Sequence, residues 1–357
     1  MALNKGEWSE VYTFLKLLSD GRLYAADANL NQISTIYYPI LQILREEPTG
    51  QLTFSRDTKI EIIDQNGVKQ FELTIEEFKH KSVELLENIR SSSSSTFDVP
   101  DVLNFMNSIN ISKLKAQSRE KKDITIVVHD IFTGHKPILG FSIKSKLGGA
   151  STLVNASGAT NFIFEINPPL QDTLIEEINT INTKSKIKDR LACIESNHSE
   201  LVFNNLQSDN FKRNLTMIDS LFPQIIGEML KLFFKGEGSK ISELTTNIKN
   251  INPCLYDLVN HHPYYEYKIK NFLTDSALGM TPMSIWSGHY DVNGGYIIVK
   301  ENGDLVCYHI YNRNEFQDYL FNNTKFDTPS SSRHGFGLIY KENGKQYFKL
   351  NLQIRFL

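Results

Sequence analysis

The sequence of 357 residues contains only three cysteines, Cys193, Cys254 and Cys307, which lie far apart and form no Cys-x-x-Cys pair. This scarcity argues against a disulfide framework and against a structural zinc site. The chain also lacks any apolar stretch near the roughly 20 residues that a membrane span needs, and its first residues lack the apolar segment of a secretory signal. Together these absences predict a reduced, cytoplasmic protein with no membrane attachment.

The chain has almost no excess of charge of either sign. It carries 38 Lys and Arg residues against 41 Asp and Glu residues, which gives a formal net charge of -3. A protein that coats nucleic acid without specificity is normally far more basic, so any DNA binding must rely on locally gathered basic groups. With 40% hydrophobic and 22% charged residues, the composition is that of a globular protein with two or three domain-sized units.

The hydrophobic pattern changes between helical and strand periods along the chain. The patterns predict a helix over residues 7–18 and strands over residues 123–129, 138–146 and 161–166. The predicted fold is α/β (α+β), a mixed sheet flanked by helices with added helical and C-terminal β-rich parts. The predicted divisions are 1–170, a mixed core with the first helix; 171–275, mainly helical; and 276–357, β-rich.

The most informative stretch is a predicted hairpin between residues 123 and 146. Its second strand carries Ser142, Lys144 and Lys146 on one face, because alternate residues of a strand point the same way. Lysines on an inward-looking face need an acidic partner or a phosphate, since burying an unpaired ammonium is costly. Asp130, at the end of the first strand, is the expected partner, and the pair could hold Mg²⁺ and a water molecule. The alternative is that the lysines face solvent and Asp130 caps a turn.

The predicted first helix brings two more acids to its opening turns. Glu7 and Glu10 are three residues apart and therefore share one helix face. In the plainest interpretation, both acids simply favour the positive end of the helix dipole.

The hairpin resembles the catalytic hairpin of the PD-(D/E)xK nuclease superfamily. The resemblance aligns Asp130 with the family's Asp and residues 142–144 with the (D/E)-x-K triplet, so that Ser142 replaces the usual acid. It implies Mg²⁺ as cofactor with Asp130 and Glu10 as ligands, because the sequence from Lys5 to Glu10 matches the family's KGxxxE-like pattern on the first helix. It further implies that Lys144 activates the attacking water and that Lys146 steers the phosphate.

Three longer blocks are similar to the HpaII-type restriction endonucleases over essentially the whole chain. They are NKGEWSEVYTFLKLL, GFSIKSKLGGASTLVNASGATNF and, at the end, SSSRHGFG with KLNLQIRFL. The resemblance implies a type II restriction endonuclease that recognises double-stranded 5′-CCGG-3′ and cuts after the first C. A palindromic site also implies a homodimer on DNA. A cognate methyltransferase is expected to protect host DNA rather than to bind this chain.

Candidate DNA-binding residues fall in a small, Gly-rich stretch over 147–161 and in the C-terminal region, which is thus the candidate DNA-recognition part. A Gly-rich segment lets backbone amides approach phosphate, and arginine is the commonest reader of guanine. The alternatives are an ordinary capped loop for the first region and, for Arg355, a pair with a nearby acid. The candidates are Asn155, Ser157, Thr160, Asn161, Arg333, His334, Gln353 and Arg355.

Two other classes of function remain compatible with the sequence. One is a DNA repair or recombination nuclease that carries the same hairpin and cuts without sequence preference. The other is a non-enzymatic DNA-binding protein, in which the apparent grouping of acids and lysine is accidental. Cleavage of a mapped DNA separates the three, since they predict discrete fragments, a continuous smear and no cleavage.

Overall fold

The structure is a computed structural model that describes residues 2–114, 122–131 and 133–357. The chain forms two compact units. Unit 1 comprises Met1–Ser151 with Tyr290–Tyr319, and unit 2 comprises Thr152–His289 with Leu320–Leu357. This division differs from the predicted segments 1–170, 171–275 and 276–357, because two strands from the last segment join the sheet of unit 1.

Eighteen strands lie within the described ranges. In chain order they are β1 (Leu3–Asn4), β2 (Arg22–Ala26), β3 (Gln32–Glu47), β4 (Gly50–Arg56), β5 (Ile60–Ile63), β6 (Lys69–Leu73), β7 (Thr96–Phe97), β8 (Ile124–Val128), β9 (Ile138–Ser145), β10 (Thr152–Val154), β11 (Asn161–Asn167), β12 (Glu200–Leu206), β13 (Gly295–Val299), β14 (Leu305–His309), β15 (Thr324–Phe326), β16 (Ile339–Glu342), β17 (Lys345–Asn351) and β18 (Ile354–Phe356).

Eleven α-helices accompany these strands in the same described ranges. They are α1 (Lys5–Asp20), α2 (Ile75–Ser91), α3 (Pro100–Ser108), α4 (Asp172–Thr180), α5 (Lys186–Ser196), α6 (Asp209–Ile218), α7 (Phe222–Lys235), α8 (Ile241–Ile251), α9 (Tyr264–Leu278), α10 (Arg313–Asn322) and α11 (Ser331–His334). Short 3₁₀ turns occur at Gly158–Thr160 and Ile310–Asn312. None of the helices in the described part of the chain combines the length and apolar composition that a bilayer span requires.

Unit 1 is built on a nine-stranded mixed sheet with the order β2-β14-β13-β9-β8-β3-β4-β5-β6. The long strand β3 also pairs with β2, so six of these strands form a closed ring of hydrogen-bonded neighbours. Strand β13 runs parallel to β9 and β14 runs parallel to β2, while the other pairs are antiparallel. The predicted mixed α/β character is therefore confirmed.

Helix α1 supplies much of the core of unit 1. Asn4 Oδ1 accepts a hydrogen bond from Glu7 N (3.0 Å), and the Glu7 carboxylate accepts one from Asn4 N (2.9 Å). This reciprocal cap starts the helix and engages Glu7. Trp8 and Phe14 are fully buried, and Phe14 packs edge-on against a phenylalanine of β4. The buried stripe fixes the rotation of α1, and thereby the direction in which Glu10 projects.

Unit 2 contains two antiparallel sheets and most of the helices. The four-stranded sheet has the order β12-β11-β17-β16, and the three-stranded sheet has the order β10-β18-β15. The predicted helical stretch holds helices α4 to α8 but also strand β12, which the helical pattern did not reveal. Toward the end of the chain, from β17 to β18, four alternate apolar residues are all buried: Leu350, Leu352, Ile354 and Phe356.

Candidate active site

The predicted hairpin exists, but its register brings a different acid to the lysine. Strands β8 and β9 pair antiparallel, with Ile124 facing Phe141 and Val127 facing Ile138. One step further out, Asp123 N donates to Phe141 O (2.8 Å), so Asp123 lies beside Ser142. In an antiparallel hairpin the start of the first strand meets the end of the second. The acid at the start of β8 therefore joins the site.

Asp130 lies at the opposite end of the hairpin, which corrects its predicted place beside Lys144. Its backbone N–H donates to His135 O (2.9 Å), and its carboxylate accepts a hydrogen bond from Thr133 Oγ1 (2.8 Å). Six strand steps from Ile138 to Lys144 alone span about 20 Å, and Asp130 lies beyond Ile138. The end of the first strand meets the beginning of the second, not its middle. Asp130 therefore belongs to the turn, as the alternative interpretation held.

Asp123 is held in place by hydrogen bonds from the neighbouring strand β9. Its Oδ2 accepts hydrogen bonds from Ser142 Oγ (2.9 Å) and from Ile143 N (2.6 Å). Burial raises the pKa of the Asp123 carboxyl, while the positive charge of Lys144 and these two hydrogen bonds oppose the rise. Ser142, which is 4% exposed, thus orients a carboxylate instead of replacing one.

Lys144 presents a half-buried amine. No described carboxylate forms an ion pair with its Nζ, which lies 5.3 Å from the centre of the Tyr296 ring. Burial lowers the pKa of the Lys144 ammonium, and the negative charges of Asp123 and Glu10 oppose that shift. A charged amine so placed can donate a hydrogen bond to a phosphate oxygen or to a water molecule.

Glu10 reaches the same site from helix α1. It is half-buried, and the positive charges of Lys144 and Arg45 both interact with it. The adjacent Ser9 fastens the helix to the strand, because its hydroxyl lies 2.7 Å from Ser145 Oγ. Glu10 and Lys144 thus line one cleft, and the hydrogen bond between Ser9 and Ser145 sets the spacing between helix and strand.

A cleft of about 550 Å³ opens at this junction. Its wall includes the predicted KGxxxE segment and the strand that bears Lys144. Gly148 lines it too, and a Cβ there would lie 3.0 Å from Lys5 Cβ, so glycine permits the close approach of the loop to α1. The lining residues are Asn4, Lys5, Gly6, Glu10, Ser93, Ser94, Ser95, Ile143, Lys144, Ser145, Gly148, Gly149 and Ser151.

Lys146 follows on the same strand face but outside the lining of the cleft. It is half-buried, and its backbone N–H donates to Val299 O (2.9 Å), which continues the pairing of β9 with β13. Its side chain is thus near the hairpin end without joining the group around Lys144.

The donor set suits a hard divalent ion. Among the described residues no three or more His, Cys, Asp and Glu side chains gather as a metal cluster. Asp123 and Glu10 both interact electrostatically with Lys144, however, and the hydrogen bonds described for the Asp123 carboxylate both end on Oδ2, which leaves Oδ1 for a cation. Mg²⁺ usually binds proteins through one or two carboxylates and completes its shell with water and substrate phosphate. These residues therefore fit Mg²⁺.

Two of the candidate DNA-binding residues are internal in unit 2. Thr160 and Asn161 are 0% and 1% exposed, and their side chains bond to other residues of the same unit. The predicted direct contact of Thr160 and Asn161 with DNA is not compatible with this burial, because neither side chain reaches the surface.

Other candidates are on the surface of unit 2. Asn155 and Arg333 are exposed, while Ser157 and His334 are half-buried. Ser157 caps the 3₁₀ turn that follows it, with Ala159 N donating to its hydroxyl (3.2 Å). The capped-loop interpretation thus describes this segment locally, and the exposed groups of the loop are available to a ligand.

The last two candidates lie at strand β18. Gln353 is half-buried and accepts a hydrogen bond from Asp327 N at its backbone oxygen (3.1 Å). Arg355 NH1 lies 3.2 Å from the carboxylate of Asp327. The alternative predicted for Arg355, a pair with a nearby acid, is therefore what the structure contains.

Comparison with known proteins adds an independent finding. The family model described as HpaII restriction endonuclease matches residues 4–356. The type II restriction enzyme HpaII of Haemophilus parainfluenzae is 47% identical over 357 residues, which cover 99% of this chain and 98% of that protein. At this identity the two are relatives and not the same protein. No solved structure matches the chain.

Proposed function

The chain belongs to the HpaII restriction endonuclease family, and from this premise we propose that it recognises double-stranded 5′-CCGG-3′ and cleaves after the first C by Mg²⁺-dependent hydrolysis. As a family member it is a type II restriction enzyme, a site-specific endonuclease that acts on DNA. The observation that carries the chemical part of the proposal is the grouping of Asp123, Ser142, Lys144 and Glu10 in unit 1.

This grouping supports a PD-(D/E)xK core with one changed assignment. Asp123, instead of Asp130, takes the place of the first acid, and residues 142–144 take the place of the triplet. Ser142 keeps its position in the pattern, and its role is to hold Asp123 Oδ2 by a hydrogen bond of 2.9 Å. The carboxylate that the triplet lacks is then supplied by Glu10 from the first helix.

Asp123 and Glu10 are the residues that would hold Mg²⁺. When bound, the ion neutralises charge on the scissile phosphate and lowers the pKa of a water molecule. The capped start and buried face of α1 hold Glu10 in place before DNA arrives. Preorganised ligands of this kind avoid the cost of rearrangement during the reaction.

Lys144 contributes the amine. Its lowered pKa increases the fraction of neutral amine at a given pH, which suits it to orient or deprotonate the attacking water. In its charged form the same group offsets the negative charge of the phosphate. Lys146, further along the strand, steers the DNA backbone by its charge.

Sequence reading is assigned to the exposed groups of unit 2. Arg333 is the leading candidate for a guanine contact, because it is exposed and arginine bonds two acceptors of guanine at once. Asn155, Ser157, His334 and Gln353 offer further polar groups, and Arg355 can contribute only by exchanging or sharing its pair with Asp327. A palindromic site favours a homodimer on DNA.

The proposed setting is the cytoplasm, where a cognate methyltransferase protects host DNA by modifying it and does not bind this chain. The test is incubation of the purified protein with a mapped plasmid in Mg²⁺ and, separately, in EDTA. We expect discrete fragments in Mg²⁺, with every end after the first C of CCGG, and no cleavage in EDTA. A smear would indicate a nuclease without sequence preference, and intact DNA under both conditions would indicate a binding protein.

A further inference from the structure

We propose that Asn161 and Asn351 are positioning residues for DNA sequence recognition. Their buried amides join the Ser157 turn to the short helix that bears Arg333, so that both present their exposed groups in one arrangement. The inference rests on the proposed function, because it assigns these exposed groups to DNA. It also gives a role to Asn161, whose burial excludes direct contact.

Asn351, at the end of β17, is 0% exposed and holds the Ser157 turn. Its Nδ2 donates to Ser157 O (2.7 Å) and to Asn161 Oδ1 (2.7 Å). Its Oδ1 accepts a hydrogen bond from Thr160 Oγ1 (3.3 Å). Both donors and the acceptor of this one amide are therefore in use within unit 2.

Asn161, at the start of β11, extends the connection to the Arg333 helix. Its Nδ2 donates to His334 O (2.9 Å), next to Arg333, and to Gln207 Oε1 (3.0 Å). Its Oδ1 accepts from Asn351, as described above. The residues in this network come from four separate stretches of the sequence, and the segment that follows α11 is held to β17 where Gly337 N donates to Lys349 O (2.9 Å).

A polar network of this kind is costly unless it is complete. A buried group without a partner loses its hydration with no compensation, whereas a complete network specifies a single arrangement. An apolar pair at these positions could hold the two strands together. It could not also bind the backbone oxygens of Ser157 and His334. The amides of Asn161 and Asn351 are therefore needed to hold the Ser157 turn and the helix end at His334.

Rigid placement matters because base recognition depends on geometry. An arginine that bonds two acceptors of guanine needs both distances at once, and a displacement near 1 Å weakens the contact. Loosening the helix that carries Arg333 should therefore lower discrimination between related sites more than it lowers general affinity for DNA, which depends mainly on backbone charge.

The experiment compares three variants of the full chain. Asn161→Leu removes both donors to His334 O and Gln207. Gln207→Met removes the exposed amide whose Oε1 accepts from Asn161 and from Lys349 Nζ (3.1 Å), and it leaves the bond of Asn161 to His334 O in place. Asn179→Leu is the matched control, since the Asn179 amide bonds both ways to the Ile339 backbone (2.9 and 2.8 Å) in the same unit but outside the network.

The measurement is the ratio of single-turnover cleavage rates on a CCGG duplex and on duplexes with one base pair changed. We expect this ratio to fall about tenfold in Asn161→Leu. In Gln207→Met the ratio should also fall, but by less. Asn179→Leu should lower the thermal midpoint while keeping the ratio. Binding to DNA without a site should be unchanged in all three.

The outcomes separate this inference from the proposed function. A selective wild-type enzyme whose folded Asn161→Leu and Gln207→Met variants keep the full ratio would overturn the inference alone. If Asn161→Leu fails to fold by circular dichroism, the smaller change Asn161→Ser, which also removes the amide donor to His334 O, decides in its place. A wild-type protein that cuts without sequence preference would instead overturn the proposed function.

Discussion

The two units bury polar groups in opposite ways. In unit 1, Asp123 and Lys144 are ionisable, partly withdrawn from water and shifted in pKa toward their neutral forms by burial. In unit 2, the buried polar groups around Asn161 and Asn351 are neutral amides whose donors and acceptors are matched. In unit 1 the charges of Asp123 and Lys144 are only partly compensated, so both groups remain reactive. In unit 2 the amide network holds the Ser157 turn and the Arg333 helix in place.

This difference shows what each unit can contribute. A carboxylate and an amine whose charges are only partly compensated gain from the arrival of a cation and a phosphate. A complete amide network gains nothing from a ligand and resists rearrangement. We therefore expect substitutions in unit 1 to change the rate of cleavage, and substitutions in unit 2 to change the choice of site.

The largest effect is expected from Asp123→Asn. The substitution keeps the shape of the side chain but removes the charge that would bind Mg²⁺, so the cleavage rate should fall about a thousandfold or more, or about 4 kcal/mol in barrier. Single-turnover cleavage in Mg²⁺ measures it. Specific DNA binding should persist, because the recognition groups are in unit 2.

Asp130→Asn is the matched control for that experiment. Asp130 accepts a hydrogen bond from Thr133 in the turn, so the variant should lose some stability and retain a rate within about threefold of wild type. A rate that collapses in Asp130→Asn and survives in Asp123→Asn would reverse the assignment of the acid.

The next largest effect is expected from Lys144→Met. Loss of the amine should reduce the rate about a hundredfold to a thousandfold, the usual range for general acid–base catalysis. Lys146→Met removes the same chemical group two residues further along the strand and outside the lining of the cleft. It should cost about tenfold or less and act mainly on the apparent affinity for DNA at moderate salt. Equal losses in both variants would argue that the lysines act only by charge.

The pH dependence should report Asp123. Activity requires its ionised form, and burial raises the pKa of this carboxyl, so activity should be lost as the pH falls through a value above about 3.9, the usual aspartate pKa. Mg²⁺ binds the ionised form and should move this acid limb to lower pH as its concentration rises. Profiles of cleavage rate against pH at several Mg²⁺ concentrations measure this loss of activity. If the pH at which activity falls does not change with Mg²⁺ concentration, the titrating group is not a ligand of Mg²⁺.

The smallest effect is expected from Ser9→Ala. The hydroxyl of Ser9 bonds to Lys5 O and to Ser145 Oγ, each at 2.7 Å, and so joins α1 to β9 beside Glu10 and Lys144. Its loss should raise the Mg²⁺ concentration for half-maximal rate about fivefold, consistent with roughly 1 kcal/mol for one hydrogen bond. Ser82→Ala is the control, because Ser82 bonds only to Lys79 O on α2. A similar change in both variants would show a general effect of stability.

The hairpin of β8 and β9 illustrates how far sequence reasoning reaches. The β-branched run before residue 129 and the alternating run after residue 138 predicted both strands, and Ser142 and Lys144 were singled out by their alternation. The partner acid was misplaced because Asp130 is nearest to the turn, where the first strand meets only the start of the second. Counting outward from the turn would have paired Ser142 with Asp123 and recovered the acid.

The recognition candidates show the converse limit. Composition marked Thr160 and Asn161 as polar residues in a Gly-rich stretch, and nothing local distinguishes a buried amide from an exposed one. Their partners, Asn351 and His334, lie about 170 to 190 residues away in sequence. Such a network becomes visible only when distant strands are paired.

By itself, the sequence determined the family of the chain, the first helix, the hairpin and the residue types on the hairpin face that bears Lys144. These depend on local periodicity, on neighbours a few residues apart and on extended blocks of identity. Only the tertiary structure decided which acid lies beside Ser142, how α1 brings Glu10 to the cleft that Lys144 lines and which polar residues of unit 2 are internal. Those outcomes depend on strand register and on long-range packing, because a single step of register changes every facing pair.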